Sequence, residues 1–192
     1  MRRRIARAVT EIFAPAPTVA ALLVIVSWHS ATTTEDALRW AVVSVLFASL
    51  IPLAYIIRGV RRQRLSDHHV GVRKQRPVVL LFGIGSVLVG IAALVYLGAS
   101  RELVVLVGAM AVGLLSSMLV TLFWKISVHC AVIAGALVVL VVVFGPLLLA
   151  FGLVVALVAW ARVEIGDHTP AQVVAGVALG AAVAGTVFPL LR

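Results

Sequence analysis

The sequence predicts an all-α, polytopic transmembrane helical bundle of six to seven spans. Three observations predict it. Of the 192 residues, 63% are hydrophobic and only 12% are charged, against about 25% charged in a soluble domain. The mean hydropathy is +1.19, and the apolar residues gather into runs on the scale of the roughly 20 residues that cross a bilayer. Most of the basic residues lie in two short segments outside those runs, and 16 Lys and Arg against 7 Asp and Glu leave a formal charge of +9. In this setting such charge orients loops or meets anionic headgroups. The partner expected is therefore the bilayer, with no nucleic acid. The single cysteine, Cys130, excludes an internal disulfide. No repeat or soluble domain interrupts the chain, so residues 1–192 read as one membrane-embedded domain.

Residues 1–13 carry Arg2, Arg3, Arg4 and Arg7, a juxtamembrane basic segment acting as a topology signal. The first apolar run, Ala14 to His29, opens with Pro15 and Pro17 and reads as a retained first span rather than a cleaved leader. After the polar loop Ser30 to Asp36 comes a span from Ala37 to Ile57, with a kink expected at Pro52. Arg58 to Pro77 is the longest polar stretch. Val78 to Gly98 and Glu102 to Trp124 form a tight hairpin, followed by Val128 to Phe144, Leu147 to Ala161 beyond Gly145-Pro146, and Ala171 to Leu190. Gly176, Gly180 and Gly185 suit the last helix to close packing. Trp28, Trp40, Trp124 and Trp160 read as interface-belt residues.

Parity of crossings gives the first functional expectation. Two spans separate Pro77 from Lys125, and two more separate His129 from Arg162, so the polar clusters around Arg76, His129 and His168 return to one face. The N-terminus and the Arg58 to Arg76 loop share that face and hold most of the positive charge. The opposite loops hold Glu35, Asp36, Arg39, Arg101 and Glu102. By the positive-inside rule the clusters face the cytoplasm, which predicts a multi-pass protein of the cell (inner) membrane with a cytoplasmic-side site.

Between Trp160 and Gly180 a charged loop joins two apolar runs and sets Arg162 six residues before His168. Thr169 and Pro170 read as N-cap and first residue of the last helix, which puts His168 beside a helix N-terminus that favours an anion. A neutral imidazole is a nucleophile near pH 7 and a second one donates a proton. Phosphoryl transfer is helped by fixed cations on the equatorial oxygens, which arginine supplies bidentately. These residue types together point to phosphate chemistry. A transporter is disfavoured, since the polar groups gather at one membrane edge rather than near the midplane.

Arg76-Pro77, Ser127-Val128-His129 and Arg162-x5-His168 stand in the order and spacing of three motifs, K-x6-R-P, P-S-G-H and S-R-x5-H-x3-D. In these residues the chain resembles the type 2 phosphatidic acid phosphatase superfamily of integral membrane lipid phosphatases, over roughly its C-terminal two-thirds. It departs from the motifs at His69 (for Lys), Ile126 (Pro), Val128 (Gly), Ala161 (Ser) and Gln172 (Asp). The resemblance implies a phosphatase acting on a lipid phosphate or diphosphate, of isoprenyl or phosphatidate type. His168 would attack phosphorus to form a phosphohistidine, and His129 would protonate the leaving oxygen and later activate water. Arg76 and Arg162, with Lys125 or Arg73 and with Ser127, would hold the phosphoryl oxygens.

No cofactor or metal is expected: the reaction requires none, and the acids Glu11, Glu35, Asp36, Asp67, Glu102, Glu164 and Asp167 lie scattered in the sequence. Three solutions to Gln172 stand open. Asp167, Glu164 or Asp67 supplies the carboxylate beside His168, or the amide of Gln172 suffices, or turnover is impaired and the chain binds lipid phosphate. A phosphotransferase, with an alcohol in place of water, is the other alternative. His68, His69 and His29 read as solvated loop residues, Asp67 as a turn residue or an orienter of Arg73 or Arg76, and Lys125 equally as interface anchor or phosphate ligand.

Overall fold

The computed structural model describes residues 1–192, and it is an all-helical bundle of multi-pass membrane type, without strands. In order the helices are α1 (Arg2–Ile12), α2 (Pro15–Ser30), α3 (Thr34–Val45), α4 (Ile51–Arg61), α5 (Arg76–Tyr96), α6 (Arg101–Phe123), α7 (Val128–Phe144), α8 (Gly152–Glu164) and α9 (Pro170–Leu191). All seven expected apolar segments are helical. Five helical stretches are long and apolar enough to cross a membrane alone: Thr34–Arg61, Arg73–Tyr96, Arg101–Phe123, Pro146–Glu164 and Pro170–Leu191. The first segment qualifies only as α1 and α2 together, bent by 44°, and α7 has 17 residues.

Two differences from the sequence reading have local causes. Pro52 produces a π-turn, Leu46–Leu50, between α3 and α4 rather than a simple kink. The proline lacks an N–H and its ring crowds the carbonyl four residues back; the wider turn, closed by Ile51 N–H on Leu46 O, relieves this. Trp40 is not an interface residue. It is buried in the larger apolar core with Leu23, Val26, Leu94, Leu103 and Phe188.

The N-terminal basic segment is itself a helix. Ala6, Val9 and Thr10 turn inward while the arginines stay exposed. Ala6 and Val9 join Val158 and Ala161 of α8, Cys130 of α7 and Val173 of α9 in a second, smaller core. That core lies directly under the polar end of the bundle.

The closest helix pair is α7 with α9, and its glycines explain why. A Cβ on Gly176 would lie 2.5 Å from Ser127 O, and one on Gly180 would overlap the Ala131 carbonyl. Backbone therefore meets backbone at both places, which fixes the start of α7 against the start of α9. Gly185 makes no such contact; its added Cβ would sit 3.7 Å from Val138.

Candidate anion site at the polar end of the bundle

The three polar clusters converge, as crossing parity requires. Arg76, at the start of α5, donates from Nη1 to Ile126 O at 2.6 Å and from Nε to Val70 O at 2.9 Å. Lys125 Nζ donates to Asp167 O at 2.7 Å, and Ser127 N–H donates to Gln172 O at 3.2 Å. The loops before α5, α7 and α9 are thus stitched to one another by side chain and backbone. Arg76, Ser127, His129, Arg162 and His168 are all buried at this junction.

Arg162 is the centre of the electrostatics. Only 1% of it is exposed, and one of its nitrogens, Nη2, meets Asp167 Oδ2 at 2.7 Å. Its Nε and Nη1 have no hydrogen-bond partner, and neither has Nε2 of His129. Buried donors left unpaired are costly, and more so on a charged group. Two unpaired donors on one buried guanidinium favour an anion as their partner.

His168 sits between Arg162 and the start of α9. Its own N–H donates to Arg162 O at 3.3 Å. Thr169 caps α9 by accepting from Gln172 N–H, with Pro170 as the first helical residue, as the sequence indicates. Gln172 completes the capping box: its Oε1 accepts from Thr169 N–H at 3.3 Å and lies 3.1 Å from His168 Nδ1. Because that oxygen already receives a backbone donor, it is the amide oxygen that faces the ring. Nδ1 therefore carries the proton, and Nε2 keeps the lone pair. Burial, and then the charges of Arg162, Arg76 and Lys125, push the His168 pKa down to about 3, so the ring is neutral at pH 7.

Several expected roles are revised by this geometry. Asp167 does not reach His168; its carboxylate holds Arg162, and the imidazole partner is Gln172. Arg73 turns away from the pocket and donates to Thr121 O and Leu122 O, tying down the end of α6. Lys125 is committed to a carbonyl, and burial, then Arg76 and Arg162, hold its pKa below the ordinary lysine value. Ser127 Oγ is the N-cap of α7, accepting from Cys130 N–H at 3.4 Å. Asp67 is a turn residue: it accepts from Ser66 Oγ and from the amides of Gly71 and His69. Burial alone would raise its carboxyl, but these donors outweigh it and hold the carboxyl below its ordinary value.

The sequence reading missed Glu11, His68 and His69 as a group. Glu11 Oε1 lies 3.1 Å from His68 Nε2 and 2.9 Å from His69 Nε2, across 57 and 58 residues of chain. Glu11 thus meets two imidazoles rather than other acids. His69 is not a solvated loop residue either. Its side chain is 15% exposed, and its ring stands edge-on to His129 at 5.0 Å between centroids. Burial outweighs the Glu11 bond and, with the charges of His68 and Arg162, holds its pKa below the ordinary histidine range. The missed signal was the spacing of Ala6, Val9, Thr10 and Phe13, which marks an amphipathic helix in the basic segment and so a fixed position for Glu11.

A cavity of about 440 Å³ opens from this end into the bundle. Glu11, His68, His69, Arg76 and His129 line its polar mouth, and mostly apolar residues of α2, the π-turn, α4, α5, α6, α7 and α9, with Ser49 and Ser117, line the rest. Arg76 and His129 belong to its wall, whereas Arg162, Lys125 and His168 do not. Comparison with protein-family models, with curated proteins and with solved structures found no match to this chain.

Proposed function

We propose that the chain is an integral membrane phosphatase, a single domain acting on a lipid phosphate or diphosphate of isoprenyl or phosphatidate type at the cytoplasmic leaflet of the cell membrane. The observation that carries the reading is Arg162, fully buried with two guanidinium nitrogens unpartnered, next to a neutral imidazole whose free nitrogen is Nε2. A tetrahedral phosphoryl group supplies oxygens for such donors, and Arg76 adds a second buried guanidinium. The starts of α7 and α9, held together by Ser127 and Gln172, add helix N-termini of the same polarity. A cavity within the 300–1,000 Å³ range usual for ligand pockets, mostly apolar beyond its mouth, suits a lipid tail.

In this reading the Nε2 lone pair of His168 attacks phosphorus and the bond from phosphorus to the lipid oxygen breaks. His129 gives that oxygen a proton, then takes one from the water that splits the phosphohistidine. Gln172 holds the Nδ1 proton and fixes the ring, but adds no negative charge to offset the positive charge that develops on it. The test is phosphate release from farnesyl diphosphate and from phosphatidate in mixed micelles. Turnover should vanish in His168→Ala, with an acid-labile phosphoenzyme trapped in the parent chain; unchanged turnover in that variant removes the reading.

The amide at Gln172, with Asp167 occupied by Arg162, also favours a second reading, a lipid-phosphate-binding protein without turnover. Saturable binding by the parent chain with no phosphate release, and equal binding by His168→Ala, would support it.

A further inference from the structure

We infer that Glu11, His68 and His69 form a binding site for a zinc-like divalent transition-metal ion at the mouth of the cavity, clamping α1 to the loop before α5. Neighbouring residues of an extended chain point to opposite sides, yet His68 and His69 both reach one carboxylate, their ring centroids 4.0 Å apart. The loop is bent to do this. Val70, a β-branched residue, is held at φ +50°, and Asp67 gathers the amides of His69 and Gly71. A left-handed conformation in such a residue is strained and persists where surrounding structure enforces it.

The donor geometry suits the ion. Glu11 Oε1 is 3.1 and 2.9 Å from the two Nε2 atoms, and the donor atoms of all three residues lie within 4.8 Å of one another. Ligands of a tetrahedral zinc at 2.0–2.1 Å stand about 3.3 Å apart, so small side-chain shifts complete the site. Two imidazoles and one carboxylate select zinc-like ions over calcium or magnesium, which take oxygen ligands. Three protein ligands leave a fourth position open. The side chains of Glu11 and His68 are more than half exposed, which gives the ion a route in. With neutral imidazoles and one carboxylate, the bound ion leaves a net charge of +1, of the same sign as Arg76 and Arg162 and suited to an anionic headgroup. The site uses none of the residues assigned to phosphoryl transfer and stands whether or not that reaction occurs.

The experiment uses the full chain without an affinity tag, in detergent, stripped with chelator, then titrated with zinc chloride by calorimetry and with cobalt(II) by visible absorption. We expect one zinc per chain with micromolar or tighter affinity and a tetrahedral-type cobalt spectrum. His68→Ala and Glu11→Gln, both at exposed positions and checked for folding by circular dichroism, should each weaken binding at least tenfold. His168→Ala should leave it unchanged. Absence of zinc uptake by the parent chain, or parent-like affinity in both variants, overturns the proposal and leaves the cluster a simple imidazole–carboxylate ion pair.

Discussion

The glycine contacts of α9 give the sharpest quantitative test. In a helix interior, Gly→Ala normally stabilises by about 0.8–1.0 kcal/mol. At Gly185 the new methyl would meet only Val138 at 3.7 Å, so Gly185→Ala should gain up to that amount. At Gly176 the methyl would lie 2.5 Å from Ser127 O, roughly 1 Å inside the 3.5–4.0 Å of favourable contact. At Gly180 the overlap is with backbone, which cannot rotate out of the way. Relief requires α7 and α9 to separate, which costs about 1–3 kcal/mol or more. The same helix should therefore show opposite signs, with a gap of at least about 2 kcal/mol between Gly185→Ala and Gly180→Ala. For a chain of this size that corresponds to roughly 4–8 °C in the unfolding midpoint, measured by differential scanning fluorimetry in one detergent. Gly176→Ala should also break the Ser127–Gln172 bond and depress any phosphatase activity beyond its effect on stability. Equal midpoints for the Gly180 and Gly185 variants would refute the close-packing argument.

Further outcomes follow from the site. Arg162→Ala should lower kcat/KM by about 30-fold or more, since a buried hydrogen-bonded charge partner is worth about 2–5 kcal/mol, and Arg162→Lys should recover little because the forked geometry is lost; steady-state phosphate release checks both. Asp167→Asn leaves the Arg162 guanidinium without its counter-charge, so its unfolding midpoint should fall, and inorganic phosphate should restore part of the loss; no phosphate effect would argue against an anion site. The pKa of His168 is depressed to about 3 from an ordinary 6.5, so the unfolded chain binds the extra proton first. Its contribution to stability is complete above pH 6.5 and is lost as pH falls toward 3, and kcat/KM should show no acid limb near 6.5 arising from this ring. Gln172→Asp should raise kcat if the developing imidazolium lacks a counter-charge; no change in a well-folded variant would mean the amide suffices.

The membrane class and the run of apolar helices were legible because hydropathy is a local property: each span carries its own signal and needs no partner to reveal it. The convergence of Arg76, His129, Arg162 and His168 was legible for a similar reason, since counting crossings places loops on faces without any distance being known. The cap at Thr169-Pro170 was written in adjacent residues and appears as expected. Roles that depend on which atom meets which were not. Asp167 and Gln172 both stand near His168 in sequence, and only the turn at Gly166, with φ +84°, and the capping box decide that one holds the arginine and the other the imidazole. Arg73 and Lys125 carry the right charge for the pocket, but carbonyls at nearby helix ends and loops claim them first. The spacing of α1 could place Glu11 on a helix but not name its partners, which lie more than fifty residues away and meet it only once α1 has docked. Composition and spacing marked a bilayer protein and grouped its polar loops; side-chain direction, which is a product of packing, decided which atoms meet.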